Sequence, residues 1–579
     1  MPKRWRISNT DPDSVAALER AAGIPSVVAQ LLVSRGIQDP DDARSFLDPK
    51  LTGLRDPSEL PGASVAAEII FAAVQDKSKI TIYGDYDADG MTSTAILLRC
   101  LRLLHAEVDT YVPNRLNEGY SLNAEALRHL AEQGTQLVVT VDCGVASVEE
   151  AELAHELGLT LVITDHHQMA DRLPHAAAIV HPGLPNMDYP FAGLCGAAVA
   201  FKLAWAICQC ASEGKKVTER LRTFLLQAVG LAAIGTVCDV VPLLDENRIL
   251  VRFGLDALKT QPVEGIAALM RRTKLTEKKR LEGEDIGFVI GPRLNAAGRM
   301  GQAEIAVELL TTESPERADT IAQYLDELNI KRQSLERSIS RAASKQIKAS
   351  TSMQGAPALV LSDHEWHAGV IGIVAGRLSE KHHCPVVMIA GDPLGIHPGI
   401  GSVRSVPGFN VHEALAVCGH LLESHGGHAA AAGLRIKAAN VDAFREAFCQ
   451  VAETWLADSN RIPELQVDGE ASLQMLTRQT VEQIESLAPF GNGNLRPVLC
   501  ANDVRLLGPP KRMGATGRHL SMMFDQHGVK MRAVAFGGGD WEQELSRIDR
   551  PFSIAFRPVI NNWRGRVSVE IHLDDWHVD

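Results

Sequence analysis

Short apolar runs rich in β-branched residues alternate with helical segments between residues 63 and 244, and this alternation constrains the fold more than any other feature. Each run has the length of a strand buried on both faces, and helical periodicity follows it. Such an alternation predicts an α/β fold with a doubly wound parallel sheet. The predicted strands cover residues 80–83, 108–112, 137–141 and 161–164, and the predicted helices cover 92–104, 123–132 and 147–157.

The first predicted strand leads into a loop that carries three carboxylates, Asp85, Asp87 and Asp89. Open α/β sheets bind their ligands at the carboxyl ends of strands. Three like charges this close together stay ionised only beside a cation, and hard divalent cations prefer oxygen ligands. A solvated acidic turn is the alternative, since Asp and Gly are common turn residues. The loop alone leaves both interpretations open.

Three later stretches favour a metal site. One predicted strand ends at Asp142, the next is followed by Asp165-His166-His167, and an apolar helix is followed by Asp239. Together with the first loop they offer carboxylates and an imidazole at neighbouring strand ends. This set suits Mn²⁺ or Mg²⁺ rather than structural zinc, and its size fits two ions that share a bridging carboxylate. The predicted ligands are Asp87, Asp89, Asp142, His166 and Asp239.

The rest of the chain predicts further domains. A long helix is expected from the N-cap residue Ser314 to about residue 349, leading into a second, smaller α/β lobe. After residue 463, β-rich runs separated by Gly, Pro and Asn predict a small antiparallel, OB-like barrel. The predicted domains are an N-terminal helical region at 1–60, a catalytic domain at 61–312, a connecting helix at 313–350, a substrate-binding domain at 351–457 and a barrel at 458–579.

Composition and charge exclude few function classes. The net charge of −13 argues weakly against nucleic-acid binding, because an acidic exterior is compatible with a basic rim around a cleft. The ten cysteines are scattered without a Cys-x-x-Cys motif, so no zinc cluster or disulfide framework is predicted and a reducing compartment fits best. We expect no signal peptide and no membrane-spanning run.

Four ordered motifs resemble those of the DHH phosphoesterase superfamily, and within it most closely the RecJ family of bacterial exonucleases. The resemblance implies a doubly wound DHH domain, joined by the long helix to a smaller α/β DHHA1 domain and followed by an OB-like barrel. It implies metal-dependent hydrolysis of single-stranded DNA in the 5′→3′ direction, in DNA repair and recombination. The motifs are Asp-Tyr-Asp-Ala-Asp-Gly, Val-Asp-Cys-Gly, Asp-His-His and Gly-Thr-Val-Cys-Asp-Val-Val-Pro-Leu.

The resemblance also implies how the metal ligands are shared between two ions. Asp87 and Asp142 would hold one Mn²⁺ or Mg²⁺ ion. Asp89, His166 and Asp239 would hold the other, with Asp142 as the bridging ligand.

Four more residues of these motifs receive roles from the resemblance. His167 would stabilise charge on the scissile phosphate, and Asp165 would support it by orienting an imidazole or the loop. Tyr83 stands where many superfamily members have a histidine, so one metal site is expected to be weaker, and Asp85 would partly compensate.

DNA contacts are implied for a further set of residues. The Gly-rich stretch 291–300 is expected to be a loop that borders the nucleotide path, with an ordinary turn between helices as the alternative. The Gly-rich loop 426–433 resembles the DHHA1 substrate motif and would bind phosphate groups, including the 5′ end. The predicted substrate-binding residues are Arg115, Arg293, Asn295, Arg299, Arg377, Ser402, Arg404 and His428.

The barrel offers a second predicted DNA surface, which is basic and aromatic. A solvated charged face is the alternative interpretation. Its residues are Lys511, Arg512, Arg518, Arg557, Trp563, Arg564 and Arg566.

The implied partner is single-stranded DNA, and by resemblance alone a single-strand-binding protein and a RecQ-type helicase. A cytoplasmic monomer without membrane contact is expected. One alternative is a DHH phosphodiesterase for small substrates such as nano-RNA or cyclic dinucleotides, which the long chain and the barrel disfavour. Another is a non-catalytic replication scaffold of the same fold, which the intact metal motifs disfavour.

Overall fold

A computed structural model describes residues 3–114, 121–212, 216–457, 464–514, 516–563 and 565–578. Its internal contacts divide the chain into two compact units. The first consists of Met1–Arg55, Pro242–Arg252 and Ile462–Asp579, and the second of Asp56–Val241 and Phe253–Arg461.

The chain begins with a short strand and three helices of the first unit. Asp11 and Asp39 start two of these helices, because their carboxylates accept hydrogen bonds from first-turn backbone N–H groups that have no partner within the helix. The apolar faces of the helices share one core with the C-terminal strands. The elements are β1 (Arg4–Ile7), α1 (Pro12–Ala22), α2 (Ser26–Ser34) and α3 (Pro40–Leu47).

A five-stranded parallel sheet in the second unit confirms the predicted alternation. Its strand order is β3-β2-β4-β5-β6, so the chain adds strands on opposite sides of β2. The sheet's topological switch point therefore lies between β2 and β4, where open α/β sheets bind ligands. The elements are α4 (Ala63–Gln75), β2 (Ile80–Gly84), α5 (Ala88–Leu103), β3 (Val108–Tyr111), α6 (Ala124–Glu132), β4 (Leu137–Val141), α7 (Val148–Glu156), β5 (Thr160–Thr164) and β6 (Ala178–Val180).

A largely buried helical layer follows the sheet, and three of its helices pack extensively on α5. One of them, α9, is long and apolar enough to cross a membrane, which differs from the expectation that no segment would be. Its most apolar window is 61% buried inside the protein, as in the core helix of a globular domain. The elements are α8 (Gly196–Ala211), α9 (Glu219–Cys238), α10 (Asp245–Thr260), α11 (Glu264–Arg272), α12 (Gly283–Asp285), a π-helical turn (Ile286–Ile290), α13 (Gly291–Arg299) and α14 (Ala303–Thr311).

The long helix and the second sheet form as predicted. Ser314 caps the helix by accepting a hydrogen bond from the backbone N–H of Arg317 (3.3 Å). The sheet has the order β10-β11-β9-β8-β7, and only its β7–β8 pair is parallel. The elements are α15 (Pro315–Ala349), β7 (Leu359–Asp363), α16 (Ala368–His382), β8 (Val386–Ala390), β9 (Gly399–Arg404), α17 (Val411–Val417), β10 (Ser424–Gly427), β11 (Ala431–Ile436) and α18 (Val441–Trp455).

The C-terminal strands form a barrel that closes through pairing of β14 with β16. Strands β17 and β19 pair in parallel, so the expectation of a wholly antiparallel barrel is wrong. The elements are β12 (Glu464–Val467), β13 (Gly469–Glu470), α19 (Arg478–Glu485), β14 (Leu499–Leu506), β15 (Lys511–Met513), β16 (His519–Gln526), β17 (Val529–Ala535), α20 (Glu542–Leu545), β18 (Phe552–Trp563) and β19 (Arg566–His577).

Candidate metal centre and substrate site

The three carboxylates that follow β2 do not all lie in a loop, because α5 already begins at Ala88. Asp87 is the N-cap residue of α5, and its Oδ1 accepts hydrogen bonds from the backbone N–H groups of Asp89 (2.8 Å) and Gly90 (3.1 Å). Asp89 lies in the first turn and is buried. The start of a helix, rather than a flexible turn, therefore positions both predicted ligands.

The N-terminus of α8 holds the Asp89 carboxylate in place. Oδ2 accepts a hydrogen bond from the backbone N–H of Gly196 (2.7 Å), and Oδ1 accepts one from that of Ala197 (2.8 Å). The partial positive charge of a helix N-terminus stabilises such a carboxylate. A Cβ atom on Gly196 would lie 2.4 Å from Oδ1 of Asp142, so only glycine lets the α8 backbone approach both acids.

Asp142 and His166 supply the observation that best fits a bound cation. Oδ1 of Asp142 lies 3.1 Å from Nε2 of His166, and both side chains are largely buried. Neither atom has a hydrogen-bond partner within the residues that the structure describes. Buried polar atoms without partners are rare in native proteins. A carboxylate oxygen beside an imidazole nitrogen is a donor set that Mn²⁺ or Mg²⁺ would complete.

The other predicted ligands surround this pair. Nε2 of His166 lies 3.6 Å from Oδ2 of Asp239 and 3.8 Å from Oδ2 of Asp89. The possible ligand atoms form three overlapping groups, each with all members within 4.8 Å of one another. The group that contains both Asp142 and His166 links the other two, as a bridging ligand would. The groups are Asp85, Asp87 and Asp142; Asp142, His166 and His167; and Asp89, His166 and Asp239.

The cluster's electrostatics also favour a cation. Burial, followed by the charges of Asp89 and Asp87, raises the pKa of Asp142 well above its usual range. Burial and the charge of Asp87 raise the pKa of Asp89 to about 6. Burial and the charges of Asp89 and Asp87 raise the pKa of Asp239 to about 8. A divalent cation would offset this repulsion and let the carboxylates ionise.

His166 is suited to ligation because it stays neutral. Burial, with the nearby ring of His167, lowers the pKa of His166 to about 3. A neutral imidazole nitrogen keeps the lone pair that binds a metal.

Asp165 organises the loop that carries both histidines. Its Oδ1 accepts hydrogen bonds from Nδ1 of His167 (2.8 Å) and the backbone N–H of His166 (2.7 Å), and its Oδ2 accepts one from that of Val145 (2.9 Å). Burial opposes ionisation of Asp165, but the hydrogen bond and charge of His167 outweigh it and lower the pKa to about 2. Burial likewise opposes protonation of His167, but Asp165 raises its pKa to about 9. The pair therefore holds a protonated imidazole beside the carboxylates.

His181 is a residue of this site that the sequence did not reveal. It is buried after β6, where its Nε2 donates a hydrogen bond to the carbonyl of His167 (2.9 Å) and its Nδ1 accepts one from the backbone N–H of Gly183 (2.9 Å). These two contacts fix its tautomer and anchor the His-His loop. A histidine directly after a fifth apolar run was the available signal.

Tyr83 points away from the ligands. Its ring is fully buried and stacks on Tyr111 with centroids 5.2 Å apart. Its hydroxyl donates a hydrogen bond to the carbonyl of Ser121 (3.1 Å). Position 83 is thus part of the domain core, and the weaker second metal site stays a prediction.

Residues 291–300 form a helix, α13, so the expectation of a loop is wrong for nearly all of this stretch. Oδ1 of Asn295 accepts a hydrogen bond from the backbone N–H of Ala88 (2.9 Å) at the start of α5. A Cβ atom on Gly298 would lie 1.9 Å from the carbonyl oxygen of Tyr86. The glycine permits close helix packing instead of forming a turn. Helix α13 therefore lies directly on residues 85–90, which we call the metal-binding segment because they carry the predicted ligands Asp87 and Asp89.

The two arginines of α13 make protein contacts. Nε of Arg293 donates a hydrogen bond to Oδ1 of Asp326 (2.8 Å), and Nη1 donates one to the carbonyl of Val289 (2.8 Å). Nη1 of Arg299 donates to the carbonyl of Gly369 (3.2 Å) at the start of α16. Substrate contact by Arg293, Asn295 and Arg299 stays a prediction.

Ser402 and Arg404 lie together on β9. Nη1 of Arg404 donates hydrogen bonds to Oγ of Ser402 (3.2 Å) and to the carbonyl of Val403 (2.8 Å). They face α16, since a Cβ atom on Gly372 would lie 2.8 Å from Oγ of Ser402 and 3.1 Å from Nη2 of Arg404. His428 is exposed in the turn between β10 and β11. Strand β11 pairs with β9, so the structure brings the three predicted phosphate ligands to one part of the sheet.

Two other predicted DNA contacts differ from these. The guanidinium of Arg377 forms an ion pair with the buried carboxylate of Glu336 on α15, although most of the side chain is exposed. Arg115 lies outside the described residues.

The predicted basic surface of the barrel is partly neutralised. Arg512 pairs with Glu542 (2.6 Å), and Arg557 pairs with Asp574 (2.8 Å). Arg564 and the side chain of Trp563 lie outside what the structure describes. Lys511, Arg518 and Arg566 are exposed.

Three family models match this chain. Residues 79–233 match the N-terminal domain of the DHH family, residues 355–454 match the DHHA1 domain, and residues 467–575 match the RecJ OB domain. The three matches follow the order of the parallel sheet, the mixed sheet and the barrel.

Several relatives and a solved structure resemble the chain over most of its length. The single-stranded-DNA-specific exonuclease RecJ of Bacillus subtilis is 37% identical, over 99% of this chain and 70% of the relative. The RecJ exonuclease of Escherichia coli is 32% identical, over 99% of both proteins. The crystal structure of RecJ in complex with Mn²⁺ from Thermus thermophilus has a TM-score of 0.82 at 30% identity, over 100% of this chain and 80% of that one. The chain therefore belongs to the RecJ family of exonucleases.

Proposed function

We propose that this protein is a metal-dependent exonuclease that hydrolyses phosphodiester bonds of single-stranded DNA in the 5′→3′ direction, in DNA repair and recombination. The observation that carries the proposal is the buried pair of Asp142 Oδ1 and His166 Nε2, which have no hydrogen-bond partner among the described residues and lie where the groups of possible ligands overlap. Relatives at 32–37% identity act as single-stranded-DNA-specific exonucleases, which agrees with such a centre.

The side chains divide the chemical work. When bound, Mn²⁺ or Mg²⁺ supplies charge neutralisation at the phosphate and makes water a better nucleophile. Asp87, Asp89, Asp142, His166 and Asp239 would hold the ions, with Asp85 available as a further ligand. Asp165 keeps His167 protonated, so the imidazolium can offset negative charge that develops on the phosphate.

The direction of digestion rests on the mixed sheet. Ser402 and Arg404 offer a hydroxyl and a guanidinium within hydrogen-bonding distance, and His428 lies in the turn before the strand that pairs with theirs, which suits a terminal phosphate. We assign this group to the 5′-phosphate of the strand. From the resemblance alone we add a single-strand-binding protein and a RecQ-type helicase as partners, and a monomer in the cytoplasm.

Digestion of end-labelled DNA tests the proposal. Linear single strands labelled at either end are incubated with Mn²⁺, with Mg²⁺ or with a chelator. We expect early release of the 5′ label and no release in chelator. Circular single strands and blunt duplexes serve as controls and should resist digestion. First release of the 3′ label would refute the polarity, and rapid cutting of circles would refute the exonuclease.

A further inference from the structure

A cavity of about 340 Å³ lies beside the metal-binding segment and has no part in the function proposed above. Tyr86, which stands between Asp85 and Asp87, forms one side. The end of β3, with Tyr111 and Asn114, and the start of α14, with Gln302 and Ile305, form the others. Its volume is within the range of small-molecule sites, at about 300–1,000 Å³.

The lining favours a flat, neutral, hydrogen-bonding ring. Tyr111 is held rigid by stacking on the buried Tyr83. Oε1 of Gln302 accepts a hydrogen bond from the hydroxyl of Tyr324 (2.5 Å), which orients the Gln302 amide. Nδ2 of Asn114 donates to the carbonyl of Gly301 (3.3 Å), which fixes the second amide. Aromatic rings with oriented amides at the edge match the stacking face and polar edge of a nucleobase.

A phosphate is a poor occupant of the same space. Glu304 lines the cavity and lies in the first turn of α14, where its carboxylate would repel an anion. Charge therefore selects the base of a nucleotide over its phosphate.

Helix α13 shows which nucleotide would reach the cavity. Gly298 contacts the carbonyl of Tyr86 and also lines the cavity, and the carbonyl of the next residue, Arg299, contacts Gly369 at the start of α16. Helix α16 in turn faces Ser402 and Arg404. Helix α13 thus joins a wall of the cavity to the helix that faces the group assigned to the 5′-phosphate, and the nucleotide between that phosphate and the scissile one is the 5′-terminal nucleotide.

We propose that this cavity binds the base of the 5′-terminal nucleotide while its 3′ phosphodiester lies at the metal centre. The proposal rests on the 5′→3′ function above. Stacking is sequence-tolerant because every base has a π face, so all four bases should fit, with modest preferences set by Gln302 and Asn114.

Position-specific removal of bases tests the proposal. Single strands with a 5′-phosphate carry one abasic nucleotide at the terminal position, at an internal position several nucleotides away, or nowhere. Single-turnover release of the first nucleotide is measured with Mn²⁺. We expect the terminal abasic nucleotide to slow this release about tenfold, since stacking on an aromatic side chain contributes on the order of a tenfold change in binding or more. The internal abasic nucleotide should have little effect on the first release.

A cavity-filling variant supplies the second half of the test. Ile305→Phe places a larger side chain at a half-buried wall position. The variant should release the first nucleotide of the intact strand as slowly as the parent protein releases that of the terminal abasic strand. Its rate on the terminal abasic strand should equal that of the parent. Ile330→Phe, the same change at an exposed position of α15, is the matched control and should leave both rates unchanged.

A second variant guards against misfolding. Gln302→Leu keeps the approximate shape of the side chain and removes the amide, so it should narrow the differences among the four terminal bases. A misfolded Ile305→Phe protein would lose activity on the abasic strand as well. In that case Gln302→Leu tests the proposal, and unchanged differences among the four terminal bases would contradict it. Equal rates on intact and terminal abasic strands for the parent protein would overturn the proposal. Release from the 3′ end would instead refute the polarity of the parent function, and the same gels show it.

Discussion

The two α/β sheets of this protein place polar groups in opposite ways. The parallel sheet gathers its chemistry beyond the strand ends, where buried carboxylates of one sign surround His166. The mixed sheet carries Ser402 and Arg404 along a strand, and both are only partly buried. Like charges in a buried cluster need a cation, whereas an arginine beside a hydroxyl can bind an anion unaided. We therefore expect the proposed catalytic site to depend on metal and the proposed phosphate site to be independent of it.

The largest effect is expected from Asp142→Asn, which removes the carboxylate that we propose as the bridging ligand. Loss of several kcal/mol of metal-derived transition-state stabilisation corresponds to about 10³-fold in rate. Without metal, the variant should unfold at a higher temperature than the parent at neutral pH, because burial and the neighbouring carboxylates raise the pKa of Asp142 and so destabilise its folded state, whereas Asn has no ionisable group. Single-turnover digestion and thermal unfolding in chelator measure the two effects. The exposed Asp171→Asn is the control, and a destabilised metal-free variant would contradict the electrostatic account.

Arg404→Gln tests the opposite prediction for the mixed sheet. Loss of a charge-assisted hydrogen bond to phosphate, at about 1.5–3 kcal/mol, should weaken use of 5′-phosphorylated strands by about 10- to 100-fold. Strands with a 5′-hydroxyl should be far less affected, and Mn²⁺ affinity should not change. Competition kinetics with both strands measures the ratio. Arg435→Gln on the exposed face of β11 should leave it unchanged, and an equal loss on both strands would refute the phosphate assignment.

Asp165→Asn separates ligand chemistry from orientation within the parallel sheet. We expect a loss of about 10- to 100-fold, typical of residues that orient metal-site side chains. The Asp165 carboxylate raises the pKa of His167 to about 9, so the protonated form is present below that pH and is lost as pH rises through it. Without the carboxylate, burial dominates and lowers the pKa, so the alkaline limb of the pH–rate profile should move to lower pH. An unmoved limb would show that protonated His167 does not contribute.

The smallest effect concerns the backbone beside Asp239. Val240 has a φ of 60°, a conformation that costs a β-branched residue about 1–2 kcal/mol. Glycine would relieve this strain, but its greater conformational entropy in the unfolded state would offset part of the gain. Val240→Gly should therefore stabilise the protein by up to about 1 kcal/mol and lower activity slightly, since Asp239 is held less firmly. Denaturant unfolding measures the first effect. Lys77 has a φ of 55° and is not one of the predicted ligands. Lys77→Gly should therefore stabilise the protein by a similar amount and leave its activity unchanged.

The sequence predicts that acidic and histidine side chains gather at one edge of the parallel sheet, because the signals for this arrangement are local. Asp142 and His166 each follow an apolar run that can only be a buried strand, and parallel strands bring such positions to one edge. The start of α5 was harder to place, because Asp and Gly in Asp87–Gly90 fit a turn as well as a capped first turn.

Contacts between segments that are distant in the chain cannot be predicted from local sequence patterns. Gly298 was interpreted as a loop residue, whereas it is a packing position against Tyr86 that no local pattern reveals. The carboxylate of Asp89 is stabilised by the backbone N–H groups of Gly196 and Ala197 at the start of α8, and no local sequence pattern shows that these groups face Asp89. His181 had a positional signal, but its bond to the carbonyl of His167 depends on tertiary structure.

Helix α13 has a consequence for the length of the products. Asn295 and Gly298 hold the helix against residues 86–88, and the next residue, Arg299, meets Gly369 of α16, with no room for an extra carbon at Gly298 or Gly369. A connection this tight keeps a constant spacing between the scissile position and the group assigned to the 5′-phosphate. A fixed spacing would set the number of nucleotides removed in each turnover. We therefore expect every turnover to release a product of the same length, whatever the sequence of the strand.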